Sequence, residues 1–210
     1  MKYVILLGGS LSITPRLGQQ IRGGAVIAAD GGMAHAEALA LKPILWVGDF
    51  DSASPQLQTR YAHIPRQTHP TDKDQTDAEL AIQAALARGA SQLLLVGALG
   101  GQTDHALTNL MLGLRLAQQG IKVVLSSGLE EAHPLLPAGL ELDLPAGSSF
   151  SIIPLDDLVG LSIQGARWEL DQAEVRFGST QTQSNTALRR VTISLVQGNG
   201  LIFCYPKEQV

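Results

Sequence analysis

The stretch ILWVGDFDS, residues 44–52, passes from an apolar run directly into two aspartates that one residue separates. A short run of Ile, Leu, Trp and Val is typical of a strand buried on both faces of a parallel sheet. Ligands of open α/β sheets bind at the carboxyl ends of the strands, which is where Asp49 and Asp51 stand. In an extended segment these side chains face the same side, ~6.6 Å apart along the chain, so both can reach one cation. A turn stabilised by Asp and Ser side chains is the simpler alternative.

Similar apolar runs recur on both sides of this stretch, with helical patterns between them. Asp77–Arg88 and Asp104–Gln119 are helix candidates, and each is followed by a glycine, a residue that commonly ends helices. The alternation of strand and helix predicts an open, mostly parallel α/β/α sheet with helices on both faces. The strand candidates are Val4–Leu7, Ala25–Ala29, Ile44–Val47, Leu93–Val96 and Val123–Leu125.

The pattern changes after residue 130, where prolines and glycines become frequent and helical signals disappear. From Phe150 onward the segments are short and alternating, and Gly198-Asn199-Gly200 is a hairpin signal. This part is expected to form a small all-β domain. A domain of ~65 residues is only marginally stable by itself, so we expect it to pack against the first domain or against a second subunit.

Composition argues against several classes of protein. The chain of 210 residues has a formal net charge of −4, and its 15 basic residues form no stripe, which argues against nucleic-acid binding. No apolar run reaches the ~18 residues of a membrane span. The single cysteine, Cys204, cannot form an internal disulfide, and the first residues resemble a buried strand rather than a signal peptide. We therefore expect a cytoplasmic protein.

Two further acidic segments stand at expected helix starts. They are Lys73-Asp74-Gln75-Thr76-Asp77 and Gly100-Gly101-Gln102-Thr103-Asp104-His105. A capping box formed by Thr76 with Glu79, and an N-cap at Asp104, are structural alternatives for parts of them. Two unit charges ~4 Å apart cost ~4 kcal/mol at an effective dielectric constant of ~20, so converging carboxylates imply a bound cation. Oxygen ligands favour Mg²⁺, which in turn suggests a polyphosphate substrate.

Glycines beside these acids predict a phosphate site. They let the backbone approach a phosphate, and a helix N-terminus offers its N–H groups to an anion. Ala29-Asp30-Gly31-Gly32 has the same order of strand, acid and glycines. The sequence contains no G-x-x-x-x-G-K-[ST] motif, which excludes a P-loop enzyme. In the second part, an indole buried in the core is the commoner explanation for Trp168, and stacking of the indole on a ligand ring is the alternative. Ser184-Asn185 is by itself only a polar loop.

Taken together, these motifs resemble the thiamine pyrophosphokinase family. The resemblance implies transfer of a pyrophosphoryl group from ATP to the hydroxyl of thiamine, which gives thiamine diphosphate and AMP. It also implies an N-terminal α/β domain, a C-terminal β-sandwich, and a homodimer with the vitamin between subunits. The segments that carry it are Ala29–Gly32, Gly48–Ser52, Lys73–Asp77, Leu99–His105, Thr108-Asn109, Phe150–Pro154, Gly160–Ser162, Gly165–Leu170 and Ser184-Asn185.

The resemblance implies roles for individual residues and for the two domains. Residues 1–135 would bind ATP and magnesium, and residues 140–210 would bind thiamine and form the dimer. Asp49, Asp51 and Asp77 match the magnesium-binding acids, and Asp74 and Asp104 are candidates for accepting the proton of the attacking hydroxyl. The ATP-binding set is Asp30, Gly31, Gly32, Lys73, Gly100, Gly101, Gln102, His105 and Asn109. The thiamine-binding set is Trp168, Ser184 and Asn185.

Gln102 departs from the family pattern, which often has Arg after the two glycines. A neutral amide supplies neither the charge nor the bidentate fork that Arg offers a phosphate, and Lys73 and Arg16 are the nearest cations by sequence. Two alternatives follow for function. One is a pyrophosphokinase for another acceptor, such as a hydroxymethylpterin, and the other is a non-catalytic sensor of thiamine or a nucleotide in which Gln102 marks lost activity.

Overall fold

The structure is a computed structural model that describes residues 1–70, 72 and 74–207. The chain has a mixed α/β fold and divides into two compact units, Met1–Gly128 and Leu129–Val210. The predicted α/β class and the mostly parallel sheet are confirmed. None of the helices in the described part of the chain is long and apolar enough to cross a membrane.

The first unit is built on parallel strands. They are β1 (Lys2–Leu6), β2 (Ala25–Ala29), β3 (Leu45–Gly48), β4 (Arg66–Thr68), β5 (Gln92–Val96) and β6 (Lys122–Ser126). Their order is β6-β5-β1-β2-β3-β4, and every neighbouring pair is parallel. The chain therefore leaves β1 toward β2 on one side and reaches β5 on the other. A parallel sheet binds ligands at such a switch point, outside the carboxyl ends of its strands.

Side chains of Thr14, Ser54 and Thr76 cap three of the helices of this unit. The helices are α1 (Pro15–Ile21), α2 (Ala34–Ala38), α3 (Pro55–Arg60), α4 (Asp77–Leu86) and α5 (Thr103–Gln118), with a 3₁₀ turn at Asp30–Met33. The Thr76 hydroxyl accepts a hydrogen bond from the Glu79 N–H (3.2 Å) and caps α4. At α5 the N-cap is Gln102, so the expected N-cap at Asp104 is wrong. Asp104 lies in the first turn, where its carboxylate accepts from the His105 N–H (2.9 Å).

The core of the first unit explains the apolar runs of its strands. Leu6, Met33 and Trp46 are fully buried, and they pack with Val26 and Val96 in one cluster. Burial on both faces is what a parallel sheet covered by helices requires. The buried strands therefore position the segments that follow their carboxyl ends, and these segments are where a ligand can bind.

The second unit consists of antiparallel strands. They are β7 (Glu131–Leu135), β8 (Leu140–Leu142), β9 (Ser149–Pro154), β10 (Leu158–Ala166), β11 (Leu170–Val175), β12 (Asn185–Ser194) and β13 (Gly200–Tyr205). β13 pairs with β7 and β9, whereas β12 pairs with β8, β9 and β10. Side chains from all these strands share one core, which includes Phe150, Ile163 and Ile202.

The predicted hairpin at Gly198-Asn199-Gly200 is wrong, because β12 and β13 pair with other strands. The segment instead approaches the start of β10. The Asn199 carbonyl accepts hydrogen bonds from the N–H groups of Leu155 (2.9 Å) and Asp156 (3.2 Å). The local turn signal therefore does not determine which strands pair, because the pairing depends on the whole unit.

Candidate active site

A cavity of about 760 Å³ opens at the carboxyl ends of the strands of the first unit. The segments after β1, β2, β3 and β5 line it, together with the beginnings of α4 and α5. It therefore lies at the switch point between β1 and β5. The residues of the sequence-predicted sites that line it are Asp30, Gly31, Asp49, Asp51, Asp77, Gly100, Gly101, Gln102, His105 and Asn109.

Three carboxylates form a tight group, here called the acid cluster: Asp30, Asp49 and Asp51, whose oxygen atoms lie within 4.8 Å of one another. Asp30 is buried, and its Oδ1 atom has no hydrogen-bond partner in the described part of the chain. Burial raises the pKa of Asp30, and the charges of Asp77 and Asp51 raise it further, against hydrogen bonds from Gly31 and Ser52 that lower it. The cluster therefore brings like charges together around a buried carboxyl oxygen of Asp30 that has no hydrogen-bond partner in the described part of the chain.

Asp49 and Asp51 meet through a turn rather than along an extended strand. Phe50 between them has a φ of 66°, which is unusual for a bulky residue. The Asp51 N–H donates to Asp49 Oδ1 (3.2 Å), and the Ser52 hydroxyl donates to Asp51 Oδ1 (3.0 Å). The turn itself brings the two carboxylates together, so the turn and the cation site, treated as alternatives above, are compatible at this position.

Asp30 joins the cluster from the end of β2. It has a φ of 40°, and the neighbouring strand end must come very close to it. Gly48 has a φ of 152°, and a Cβ added there would lie 3.1 Å from the Asp30 Cβ. A glycine at the end of β3 is therefore required for Asp30 to stand beside Asp49. The resemblance implies an ATP-binding role for Asp30; its approach to Asp49 has no local sequence signal, because it depends on the pairing of β2 with β3.

The other predicted acids occupy different places. Asp77 lines the cavity from the first turn of α4, but it lies outside the group of three within 4.8 Å. Asp74 and Asp104 are exposed and are not among the described residues that line the cavity. Lys73 lies outside the described residues. Arg16 is on α1 and does not contribute to the described lining.

Glycines from three loops form the floor of the cavity. A Cβ on Gly9 would lie 2.3 Å from the Gly100 carbonyl oxygen and 2.4 Å from that of Gly97, so these two loops touch through their backbones. The His35 ring lies 2.9 Å from the Gly9 carbonyl oxygen through Nε2. Gly32 has a packing role, since a Cβ there would lie 2.1 Å from the Leu6 carbonyl oxygen. Gly8 and Gly9 also line the cavity, and neither is among the site residues predicted above from the sequence.

One side chain of α5 supports this floor. The Asn109 amide donates to the Ala98 carbonyl (3.1 Å) and so holds the loop after β5. Gln102 and His105 are exposed and line the cavity at the start of the helix. Backbone N–H groups near a helix N-terminus suit an anion such as a phosphate.

In the second unit, Trp168 is 53% exposed, so the core explanation for this residue is wrong. The Arg167 guanidinium lies 4.9 Å from the centre of its ring. Asn185 is buried and holds the Trp168 backbone on both sides: its Oδ1 accepts from the Trp168 N–H (3.1 Å), and its Nδ2 donates to the Trp168 carbonyl (2.7 Å). Ser184 is exposed, with a φ of 59°, and its N–H donates to the Ser151 hydroxyl (3.0 Å).

Comparison with known families agrees with this division of the chain. A family model described as "Thiamin pyrophosphokinase, catalytic domain" matches residues 22–125, and one described as "Thiamin pyrophosphokinase, vitamin B1 binding domain" matches residues 140–199. The chain belongs to the thiamine pyrophosphokinase family. The resemblance inferred from the motifs is therefore confirmed, and the acid cluster lies within the part that matches the catalytic-domain model.

Individual relatives in the thiamine pyrophosphokinase family are distant in sequence. The thiamine pyrophosphokinase of Bacillus subtilis (strain 168) is 29% identical over 161 residues, which cover 74% of this chain and 75% of that protein. The crystal structure of thiamine pyrophosphokinase from Bacillus subtilis superimposes with a TM-score of 0.87 at 24% identity, covering 99% of this chain and 100% of the other. The enzyme of Geobacillus thermodenitrificans gives a TM-score of 0.85 at 23% identity, over 100% of this chain and 99% of that one. The fold is shared along the whole chain.

Proposed function

We propose that this protein transfers a pyrophosphoryl group from ATP to the hydroxyl of thiamine, giving thiamine diphosphate and AMP. The observation that carries the proposal is the acid cluster of Asp30, Asp49 and Asp51 in a glycine-floored cavity, in a chain that both family models match. The two alternatives, another acceptor and a non-catalytic sensor, are not favoured, because the second match is to a vitamin B1 binding domain and the acids of the cluster are all present.

The acid cluster fits a divalent cation. All its donors are carboxylate oxygens, the ligands that Mg²⁺ prefers, and the buried Oδ1 atom of Asp30 has no partner in the described part of the chain. We assign Asp30, Asp49 and Asp51 to hold Mg²⁺. Asp77, which the resemblance matches to the magnesium-binding acids, lines the same cavity outside this group of three. When bound, Mg²⁺ neutralises charge on the phosphates of ATP and stabilises the charge that develops during phosphoryl transfer.

The glycine floor and the start of α5 are assigned to the phosphates of ATP. Gly9, Gly100 and Gly101 expose backbone to the cavity with no side chain in the way. Gln102 lines the same end and supplies hydrogen bonds without charge. Phosphoryl transfer depends mainly on positioning and charge stabilisation, and rigid backbone loops suit the first of these.

The attacking hydroxyl of thiamine must lose a proton. Asp74 and Asp104 are the candidates from the sequence, and both are exposed outside the described cavity lining. Asp77 is half-buried and lines the cavity. We therefore assign proton acceptance to Asp77, with Asp74 and Asp104 as the alternatives that single variants separate.

The thiamine ring is assigned to Trp168. Its indole is exposed, and an aromatic face attracts a cationic ring such as a thiazolium. Ser184 is exposed and can bind the vitamin, whereas the Asn185 amide is engaged with the Trp168 backbone and so orients the indole. The stacked Arg167 guanidinium would have to give way to the vitamin.

A homodimer and a cytoplasmic location complete the proposal. The second unit exposes the large apolar side chains of Phe177, Leu188 and Val196 as well as Trp168, and a second copy of the chain would cover such a surface. A single cysteine in 210 residues is consistent with a reducing compartment. Sedimentation at several protein concentrations tests the dimer.

Incubation of the purified protein with ATP, Mg²⁺ and thiamine, followed by chromatography, tests the function. Equal amounts of AMP and thiamine diphosphate are expected. A parallel reaction with a hydroxymethylpterin tests the alternative acceptor. Binding of thiamine without release of AMP would support the sensor instead and would overturn the proposal.

A further inference from the structure

Two residues at the acid cluster have backbone conformations that L-amino acids rarely adopt. Asp30 has a φ of 40° and Phe50, between Asp49 and Asp51, has a φ of 66°. Such conformations persist only where the surroundings hold them in place. The three carboxylates therefore depend on whatever holds these two residues.

The side chain of Trp46 contacts both of them. Trp46 is fully buried on β3, and its Nε1–H donates to the Asp30 carbonyl oxygen at 2.9 Å. Its ring meets the Phe50 ring edge to face, with the centres 4.9 Å apart and the planes at 84°. This is a favourable arrangement of two aromatic rings. One indole thus joins the residue at the end of β2 to the turn after β3.

Arg66 and Gln58 hold the same turn from outside. The Arg66 guanidinium lies 4.9 Å from the Trp46 ring centre and 5.1 Å from that of Phe50. Arg66 also donates to the Gln58 carbonyl (2.9 Å), while the Gln58 amide donates to the carbonyls of Phe50 (3.2 Å) and Ala53 (3.0 Å). The turn that carries Asp49 and Asp51 is therefore held through its rings and through its backbone.

We propose that Trp46 is a positioning residue for the acid cluster, and that Arg66, stacked on Trp46 and Phe50, supports it. Trp46 acts by hydrogen bonding to the Asp30 backbone and by packing on Phe50, and it touches neither substrate nor cation. The inference deepens the proposed function, because it concerns the same cation site. It assigns to the indole N–H the role of keeping three like-charged groups within reach of one ion.

Loss of a hydrogen bond that orients a metal-ligating residue typically lowers metal affinity by ~10- to 100-fold. Trp46→Phe keeps a ring in the core and removes the N–H group, so the affinity for a divalent cation should fall about tenfold. Arg66→Met removes a contact from an exposed side chain, and a loss of about threefold is expected, in line with the modest strength of exposed cation–π contacts.

Val47→Ala is the matched control. Val47 is the next residue on β3 and fully buried, and alternation along a strand directs its side chain to the other face of the sheet. The variant should lower the melting temperature through a lost core contact while the indole bond to Asp30 remains. It therefore separates loss of stability from loss of positioning.

The test measures Mn²⁺ binding to the full chain without nucleotide, and electron paramagnetic resonance detects the Mn²⁺ that stays free. Melting temperatures are measured in parallel. Weaker binding in Trp46→Phe and Arg66→Met, with unchanged binding in Val47→Ala, supports the proposal. Unchanged binding in Trp46→Phe, equal weakening in Val47→Ala, or no binding by the wild type overturns it. If Trp46→Phe does not fold, unchanged binding in Arg66→Met overturns it. A wild type that binds Mn²⁺ but forms no AMP from ATP and thiamine refutes the proposed function separately.

Discussion

The acid cluster of the first unit and the Trp168 region of the second are held in opposite ways. At the cluster, three carboxylates lie within 4.8 Å, one of them buried, and two residues have positive φ angles. At Trp168, the functional ring is exposed and its backbone is fixed by neutral hydrogen bonds from Asn185. Like charges at such short distances repel one another, whereas the neutral bonds at Trp168 carry no such cost. Under the proposed function, the first region is a site that a cation completes and the second is formed without any ligand.

The largest expected effect is at the cluster. Asp49→Asn should lower AMP formation about a thousandfold or more, because a bound metal contributes several kcal/mol to such a reaction and ~1.4 kcal/mol is a factor of ten in rate. The fold should remain intact, since the change removes a repelling charge. AMP release is measured by chromatography and the fold by circular dichroism. Near-normal turnover by this variant would show that Asp49 has no role in the reaction.

Asp77→Asn should cost about a hundredfold in turnover, which is a usual contribution of a general base. Asp74→Asn and Asp104→Asn should each cost less than about tenfold, because these side chains are exposed outside the described cavity lining. The three variants are compared at saturating ATP and thiamine. A larger loss for Asp74→Asn or Asp104→Asn than for Asp77→Asn would transfer proton acceptance to that residue.

Trp168→Ala tests the preformed site. Removal of a stacking face should raise the KM for thiamine about tenfold and leave the KM for ATP unchanged. Leu129→Ala is the control, because Leu129 is also exposed in the second unit, at 58%, and is not part of the surface assigned to the dimer. Steady-state kinetics with each substrate varied in turn would show the difference. Equal effects of the two variants, or a change in the KM for ATP, would contradict the assignment.

Asp30→Asn should raise the free energy of unfolding by about 1 kcal/mol in the absence of metal, because it removes a buried charge; stabilising substitutions commonly contribute this much. Burial raises the pKa of Asp30, so the folded state binds its proton more tightly than the unfolded state does. The ionised group therefore lowers stability at neutral pH, and this cost disappears as the pH falls below the pKa of the unfolded chain. Asn also tolerates a positive φ.

Thermal unfolding with and without Mg²⁺ measures this effect. Without metal, the variant should melt higher than the wild type at pH 7, and the difference should shrink toward pH 3. Added Mg²⁺ should raise the melting temperature of the wild type only, since binding to the folded state alone stabilises it. A variant that melts lower than the wild type at pH 7 would mean that Asp30 is not a destabilising charge.

Part of the site could be predicted from the sequence. Asp49 and Asp51 follow a buried run, and the carboxyl end of a parallel strand is a general location for ligands. The partnership of Asp30 with them could not be predicted, because it depends on the pairing of β2 with β3 and on the close approach of Gly48. The Trp46 bond to the Asp30 backbone is likewise a contact between two strands that no local pattern encodes.

The second unit shows the same limit. Its all-β character follows from short alternating segments, which are a local property. The failure of the Gly198–Gly200 hairpin and the exposure of Trp168 are not local, because both depend on which strands share the core. The resemblance predicts that the Asn185 amide binds the vitamin. In the structure this amide donates a hydrogen bond to the Trp168 carbonyl, and that partner is 17 residues away along the chain.

The two tryptophans of the chain have contrasting surroundings, and this gives the protein a pair of internal optical probes. Trp46 is enclosed beside the acid cluster, whereas Trp168 is open to solvent. Iodide should therefore quench the fluorescence of Trp168 and spare that of Trp46, so a single cuvette can report separately on the surroundings of the acid cluster and of the Trp168 region, without labels or radioactive tracers.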